Sequence, residues 1–326
     1  MKNLLLNSAY HLGAAYLLRR GKQHRLTVLS IHRISDQRDP FWNPITPTAF
    51  NSLLIYVKKH YNVIGFNQLQ DVQPSKKPLL ILSFDDGYYD FYEFALPLLK
   101  KHHLTCNHNI VNDCANNGTT IWAQRLNTIF GHCKQHAVPL DVEFGDELLN
   151  LTKFNNNWMA FYLATFKKLL NETRQFRTQL LHGLESRLSI NSSFRMMNWN
   201  EIRECAANGV EIGNHTYNHD ALSTISDRKV LEHEIITSKL EMEKELGKTV
   251  NVLALPNGQT ENLADEVISA SDHTYVLYVD DALNTLPLEK NTHLPVKISR
   301  INLVDEPFPQ IILRAEQFHS VMRKYV

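Results

Sequence analysis

The sequence predicts an α/β fold built on parallel strands, and three observations carry that prediction. Short apolar runs bounded by turn residues recur along the chain. Segments with helical apolar spacing fill the intervals between them. One run, Pro78-Leu79-Leu80-Ile81-Leu82, is unbroken and ends directly on Ser83-Phe84-Asp85-Asp86-Gly87. Alternation of this kind builds strand–helix–strand crossovers, which hold their strands parallel. A continuous apolar run closed by a turn signal reads as a strand buried on both faces.

The elements follow in order. Residues 1–25 read as an amphipathic helix: Leu4-Leu5-Leu6 and Ala14-Ala15-Tyr16-Leu17-Leu18 are interrupted by Asn7, Ser8 and His11 and followed by Arg19-Arg20. A signal peptide has the reverse order, charge before an unbroken apolar stretch, and no run approaches the roughly 20 apolar residues of a membrane span. A helix ending in basic residues is suited to lie against a membrane surface. Residues 26–31 form a strand ending at His32-Arg33, and 44–47 a loop. Thr48 then caps a helix with Phe50, Leu53, Leu54 and Val57 on one face. A short strand at 63–66, the strand at 79–84, a helix through Phe91, Phe94, Leu98 and Leu99, and a strand near 106–111 complete the first half. From 112 to 195 the pattern changes to helical segments at 122–130, 157–170 and 174–188, a helical insertion; Asn116-Asn117-Gly118 and Asn155-Asn156-Asn157 read as loops. Alternation then resumes with a helix at 199–208 closed by Gly209, a strand at 210–213 and a long helix capped by Ser226 or Asp227. A strand at 250–255 ends in the turn Pro256-Asn257-Gly258; a helix at 262–270, strands at 275–279 and 296–303 and a closing helix at 310–325 follow. The chain thus divides into an N-terminal helix (1–25), a catalytic domain (26–111 and 196–326) and the insertion within it (112–195).

Composition bounds the function. The 326 residues are 43% hydrophobic and 21% charged, an ordinary globular balance. Lys+Arg and Asp+Glu are both 34, so the basic excess of a nucleic-acid binder is missing. Cys106, Cys114, Cys133 and Cys205 show no C-x-x-C spacing. That argues against a disulfide framework or structural zinc and fits the scattered thiols of a cytosolic protein. The expected location is cytoplasmic, with peripheral contact at the inner membrane face as the form any membrane association would take. Lys239 to Lys248, alternating with glutamates, reads as a solvated helix face. The oligomeric state is not encoded in any feature of the sequence.

The chemistry starts from the carboxylate pair. Two adjacent carboxylates at the rim of a core repel, and a neighbouring cation relieves that repulsion. A second feature, Gly213-Asn214-His215-Thr216-Tyr217-Asn218-His219, also follows a buried strand and carries two histidines four apart. Both motifs therefore belong to the C-terminal face, where α/β barrels and open sheets hold their active sites. One carboxylate with two histidines is a catalytic ligand set that leaves positions open; zinc suits it, and Co, Mn, Fe or Ni accept the same donors.

On these residues the chain resembles the polysaccharide deacetylase family, whose members remove acetyl groups from N-acetylated sugars. Leu82-Ser83-Phe84-Asp85-Asp86-Gly87 is similar to the first family motif, His215-Thr216-Tyr217-Asn218-His219 to the second and Leu255-Pro256-Asn257-Gly258 to the core of the third. Leu29-Ser30-Ile31-His32-Arg33-Ile34 is similar to a segment common in bacterial members. The resemblance covers roughly residues 26 to 303 and hardly includes the insertion. It implies a distorted (β/α) barrel, metal binding by Asp86, His215 and His219, and Asp85 as catalytic base. It also implies a metal-dependent hydrolase releasing acetate from an N-acetylated saccharide or glycolipid. The backbone N–H of Asn257 is the expected oxyanion donor. Two departures stand out. Where many members start the third motif with an arginine that pairs with the base, this chain has Ala254, and the family's C-terminal Leu-x-His is missing. Arg300 is the candidate for the missing positive charge; His32, and after it His293, is the candidate for the general acid. The competing functions are a catalytically silent carbohydrate-binding or assembly protein, favoured by those two departures, and a hydrolase of another non-peptide C–N or ester bond.

Overall fold

The structure, a computed structural model, describes residues 2–70, 76–258, 262–288 and 295–319. Its strands are β1 (Arg25–Ile31), β2 (Asn62–Val63), β3 (Leu79–Phe84), β4 (Cys106–Ile110), β5 (Asp141–Phe144), β6 (Glu147–Asn150), β7 (Val210–Asn214), β8 (Val252–Ala254), β9 (Tyr275–Val279), β10 (Asn284–Thr285) and β11 (Val296–Asn302). Seven of them close a parallel barrel in the order β1-β11-β9-β8-β7-β4-β3 and back to β1. β2 runs parallel beside the start of β3, and β10 antiparallel beside the start of β1. The fold is the distorted (β/α) barrel expected.

Strand side chains alternate between two environments. Leu26, Val28, Leu79, Ile81, Leu277 and Ile298 cluster with Phe66 and Tyr275. Leu29, Ile31, Leu80, Leu82 and Phe84 instead pack against Phe50, Leu53, Leu54, Ile311 and Leu313. Each fully buried aliphatic side chain contributes roughly 1.5–3 kcal/mol of transfer free energy. Continuing the first set toward the strand ends replaces hydrocarbon with polar groups: Ser30, Ser83, Asn107, Asn109 and Arg300 are all fully buried. Register brings them together, Ser30 lying opposite both Ser83 and Asn302. An apolar barrel is thereby closed at its C-terminal end by a polar layer.

The helices in chain order are α1 (Lys2–His11), α2 (Ala14–Arg20), α3 (Pro47–His60), α4 (Leu96–His102), α5 (Asn112–Asn117), α6 (Trp122–His136), α7 (Trp158–Leu170), α8 (Arg174–Leu188), α9 (Trp199–Ala207), α10 (Arg228–Glu232), α11 (Ser238–Leu246), α12 (Asn262–Ser269) and α13 (Phe308–Ala315). The insertion helices have their own core, with Leu126, Phe130, Phe161, Leu169 and Leu181 at its centre. Among the described residues no helix is long and apolar enough to cross a membrane. All four cysteines are buried and unpaired.

Several elements differ from expectation. The N-terminal segment is two helices, because Gly13 at φ 86 breaks the first from the second. α3 starts one turn residue early: Pro47 occupies its first position and Thr46, not Thr48, caps it through the Ala49 N–H. Asn116 and Asn117 end a short helix instead of forming a loop, and Gly118 supplies its left-handed cap. The insertion also contains the β5–β6 hairpin, whose strands of four residues each are too short to show a period. Asp227 caps the long helix, which passes through a π-turn at His233–Thr237 between α10 and α11. Lys239 does not face solvent: its ammonium is buried and donates to the carbonyls of Ser271 and Asp272 at 3.3 and 2.7 Å. The closing helix ends at Ala315; residues 320–326 lie outside the described residues.

Candidate metal centre and its cavity

Both predicted motifs sit at strand ends on strained turns. After β3, the Asp85 N–H donates to the Ile31 carbonyl at 3.0 Å and the Gly87 N–H to the Asp85 carbonyl at 3.1 Å. Asp86 and Gly87 take φ of 78° and 87°, so the chain reverses at once and the two carboxylates point apart. After β7, the His215 N–H donates to the Ile110 carbonyl at 2.9 Å, and Thr216 and His219 both have positive φ. Non-glycine residues in the left-handed region cost of order 1 kcal/mol or more and persist where the surroundings impose them. The surroundings here are explicit. The Thr216 hydroxyl accepts from the His219 N–H at 3.1 Å, and the Asn214 amide oxygen from the Thr216 N–H at 2.9 Å. Buried Glu234 accepts from the Asn218 N–H and side-chain amide at 2.8 and 2.6 Å.

The turns bring Asp86, His215 and His219 together. Asp86 Oδ1 lies 3.3 Å from the Nε2 of each histidine, all three residues are buried, and their donor atoms fall within 4.8 Å of one another. His215 Nδ1 is 2.9 Å from the Ala254 carbonyl. A proton held there leaves the Nε2 lone pair facing Asp86. Asp86 Oδ1 is buried with no hydrogen-bond partner among the described residues. An orphaned carboxylate oxygen beside two imidazole nitrogens is a donor set that a divalent cation fits.

Asp85 points the other way, into the polar layer. Arg300 Nη1 donates to both of its oxygens at 2.8 Å, and Asn109 Nδ2 donates to Oδ1 at 2.7 Å. The Ser30 hydroxyl stands 3.4 Å from Oδ2. Burial disfavours the charge, but Arg300, joined by the nearby His215 and His32 imidazoles, more than offsets it and holds the carboxyl well below its ordinary value. The positive charge absent from Ala254 is thus delivered from β11. His32 lies at the end of β1 with Nε2 3.9 Å from Asp85 Oδ2 and its ring edge-on to Trp42 at 5.0 Å. Asn257, at φ 59, lines the same cavity from the turn after β8. His293 lies outside the described residues. Tyr88 is fully buried in the insertion core, and Trp199 donates its indole N–H to Asn116.

The sequence reading missed three neighbours of Asp85: Asn109, Ser30 and Ser83. Their signal was Asn107 and Asn109 alternating in β4 and an isolated serine near the end of each of the apolar strands β1 and β3. Gly213 belongs to the same arrangement, since a Cβ there would sit 2.1 Å from the Asn109 amide oxygen. Also missed was the tie between the insertion and the metal centre. Arg177 of α8, itself buried, pairs with buried Asp220, the residue next to His219.

All seven predicted site residues line one cavity of about 360 Å³. Comparison with known proteins adds a family likeness. The sequence model described as Polysaccharide deacetylase matches residues 163–276, a stretch holding the histidine motif and the Pro256 turn. Over that stretch the chain is similar to the polysaccharide deacetylase family. That stretch begins inside α7, so the family match includes part of the insertion but not the carboxylate motif. Solved structures extend the likeness in fold. The Streptococcus pyogenes deacetylase PplD, in complex with acetate, is similar at 16% identity and a TM-score of 0.59, over 90% of this chain and 98% of that one. A polysaccharide deacetylase from Bacillus cereus gives 14% identity and a TM-score of 0.59, over 90% of this chain and 69% of that one. A de-N-acetylase from Aggregatibacter actinomycetemcomitans gives 18% and 0.52, over 86% and 95%. No curated protein matches the sequence.

Proposed function

We propose that the protein is a metal-dependent deacetylase acting on the acetamido group of an N-acetylated sugar in a glycan or glycolipid. The observation that carries this is the asymmetry of the carboxylate pair: Asp86 faces His215 and His219, while its neighbour Asp85 is clamped by Arg300 and opens on the same cavity. A divalent cation held by Asp86, His215 and His219 supplies Lewis acidity and brings the pKa of adjacent water toward neutrality. Asp85, fixed by Arg300 and Asn109, takes the proton as water adds to the acetamide carbon. The Asn257 N–H, on the turn lining the same cavity, is assigned to stabilise the developing oxyanion. As the C–N bond breaks, acetate leaves and the nitrogen departs as an amine that needs a proton; we assign that donation to His32, whose Nε2 is 3.9 Å from Asp85 Oδ2. A catalytically silent protein has no use for a clamped base, which supports the enzyme over the binding module.

The test is acetate release from a panel of N-acetylated mono- and oligosaccharides by the wild type, His215→Ala and Asp85→Asn. Release by the wild type, lost in both variants, with metal retained in Asp85→Asn, is the expected pattern. Full activity in Asp85→Asn removes that residue as base, and a protein that retains no divalent metal overturns the centre.

A further inference from the structure

Beside the proposed catalytic groups, the cavity is walled by aliphatic and aromatic side chains. Ile121 at the start of α6, Tyr162, Leu163 and Phe166 of α7, and Phe41 and Trp42 from the loop after β1 form that wall. Hydroxyl-bearing sugars need either hydrogen-bond partners or a free aromatic face. The wall offers few polar atoms, and three of its four rings, Phe41, Tyr162 and Phe166, are packed against other rings. Phe41 is stacked on Tyr162 at 4.7 Å and carries the Lys134 ammonium 5.3 Å over its ring. Phe166 packs on Trp122 at 4.9 Å. A second pyranose placed there would bury hydroxyls without partners, each a substantial loss. A hydrocarbon chain loses nothing. The apolar surface also continues outward: Leu163 is 54% exposed, and Met159, one turn earlier on α7, is 42% exposed. The cavity is at the small end of the range for small-ligand pockets, sized for one sugar with an attached group.

We infer that the insertion adds to the site an apolar subsite for a hydrocarbon aglycone, so that the substrate is an N-acetylated sugar carrying an alkyl or lipid group at its anomeric end. This rests on the deacetylase function proposed above. The chain leaves the sugar along Phe166 and Leu163 and passes Met159 into solvent or a lipid phase.

The test uses the metal-loaded full chain with methyl, butyl and octyl glycosides of N-acetylglucosamine below their micellar concentrations. Alongside them stand N-acetylglucosamine oligomers and the N-butanoyl and N-octanoyl homologues of the methyl glycoside. Each buried methylene is worth about three- to fourfold in affinity, and the exposed outer wall captures only part of it. kcat/KM is therefore expected to rise roughly tenfold or more from methyl to octyl glycoside. Leu163→Glu and Met159→Glu, both at exposed positions that tolerate charge, should reduce that ratio toward one. Oligomers outperforming the octyl glycoside, a gain confined to N-acyl lengthening, or no dependence on chain length would each overturn the subsite. Calorimetric binding of the same glycosides separates the two hypotheses. Turnover of the methyl glycoside without a chain-length effect keeps the deacetylase and refutes the subsite. Chain-length-dependent binding, abolished by Leu163→Glu but without acetate release, keeps the subsite and refutes the deacetylase.

Discussion

Replacing Arg300 by Met tests the core of the site more directly than any activity loss. The side chain is fully buried, and one of its nitrogens holds both oxygens of Asp85. Removing it strands a carboxylate that is itself 1% exposed, leaving Asn109 and Ser30 as its remaining neutral donors. Breaking a buried ion pair from one side costs about 3–5 kcal/mol, because the surviving charge stays desolvated. For a chain of this size that lowers Tm by roughly 6–10 °C. Asp85→Asn alone should also destabilise, since it leaves the guanidinium unpaired. The double variant should lose much less than the sum of the two, with a coupling of about 2 kcal/mol or more. Arg300→Lys is expected to recover part of the loss, because Nε and Nη2 have no hydrogen-bond partner among the described residues and a point charge can replace Nη1. Urea denaturation followed by circular dichroism, with and without zinc, measures all four proteins. Single-variant losses that add to within about 0.5 kcal/mol would show that Arg300 and Asp85 do not act as a pair.

Further outcomes follow from other parts of the structure. Zinc at one hundred times its dissociation constant should stabilise the protein by about 2.7 kcal/mol, an effect absent in His215→Ala and reversed by a chelator. Arg177→Met should weaken metal binding by about 10-fold in calorimetry, with Arg177→Lys intermediate, because Asp220 beside His219 loses its nearer partner and keeps Arg174 at 3.7 Å. Burial pushes the Glu211 carboxyl up to about 7, where it accepts from the Phe66 N–H. A raised folded pKa makes its contribution full below about 4.5 and lost as pH climbs through 7, so stability should fall by on the order of 2 kcal/mol across that window, and Glu211→Gln should flatten the fall. Lys22→Met removes the nearer cation from buried Glu316, leaving Arg19 at 3.7 Å and the Tyr56 and Tyr61 hydroxyls, and should cost about 1–3 kcal/mol in the same urea assay.

What the sequence made legible was whatever lies within one turn of a strand end. Asp85, Asp86, His215, His219 and Asn257 are announced by an apolar run that stops on them, and local chain reversal then does the positioning. The elements it misread are governed by single capping residues or by very short periods, as at Thr46, Gly118 and the β5–β6 hairpin. Lys239 was misread for a different reason. An alternation of Lys and Glu says nothing about a neighbour, here the Ser271–Asp272 turn, that offers carbonyls to one of the lysines.

Arg300 shows where the local rule ends. It stands 215 residues from Asp85, and the two meet only because β1 pairs with both β3 and β11, the contact that closes the barrel. No periodicity in β11 announces that closure. Yet the residue was in view as an anomaly, an arginine two positions after Ile298 in a strand whose alternate side chains enter the core. The same parity places Ser30, Ser83, Asn107 and Asn109 in the interior, and none of them suits an apolar barrel. A buried charge persists only where a counter-charge and hydrogen bonds offset its desolvation. An interior arginine on one strand therefore implies an interior carboxylate on another, and the described strand ends leave Asp85 to fill that role. The pairing follows from the cost of the charge, and the barrel's closure is the geometry that meets it.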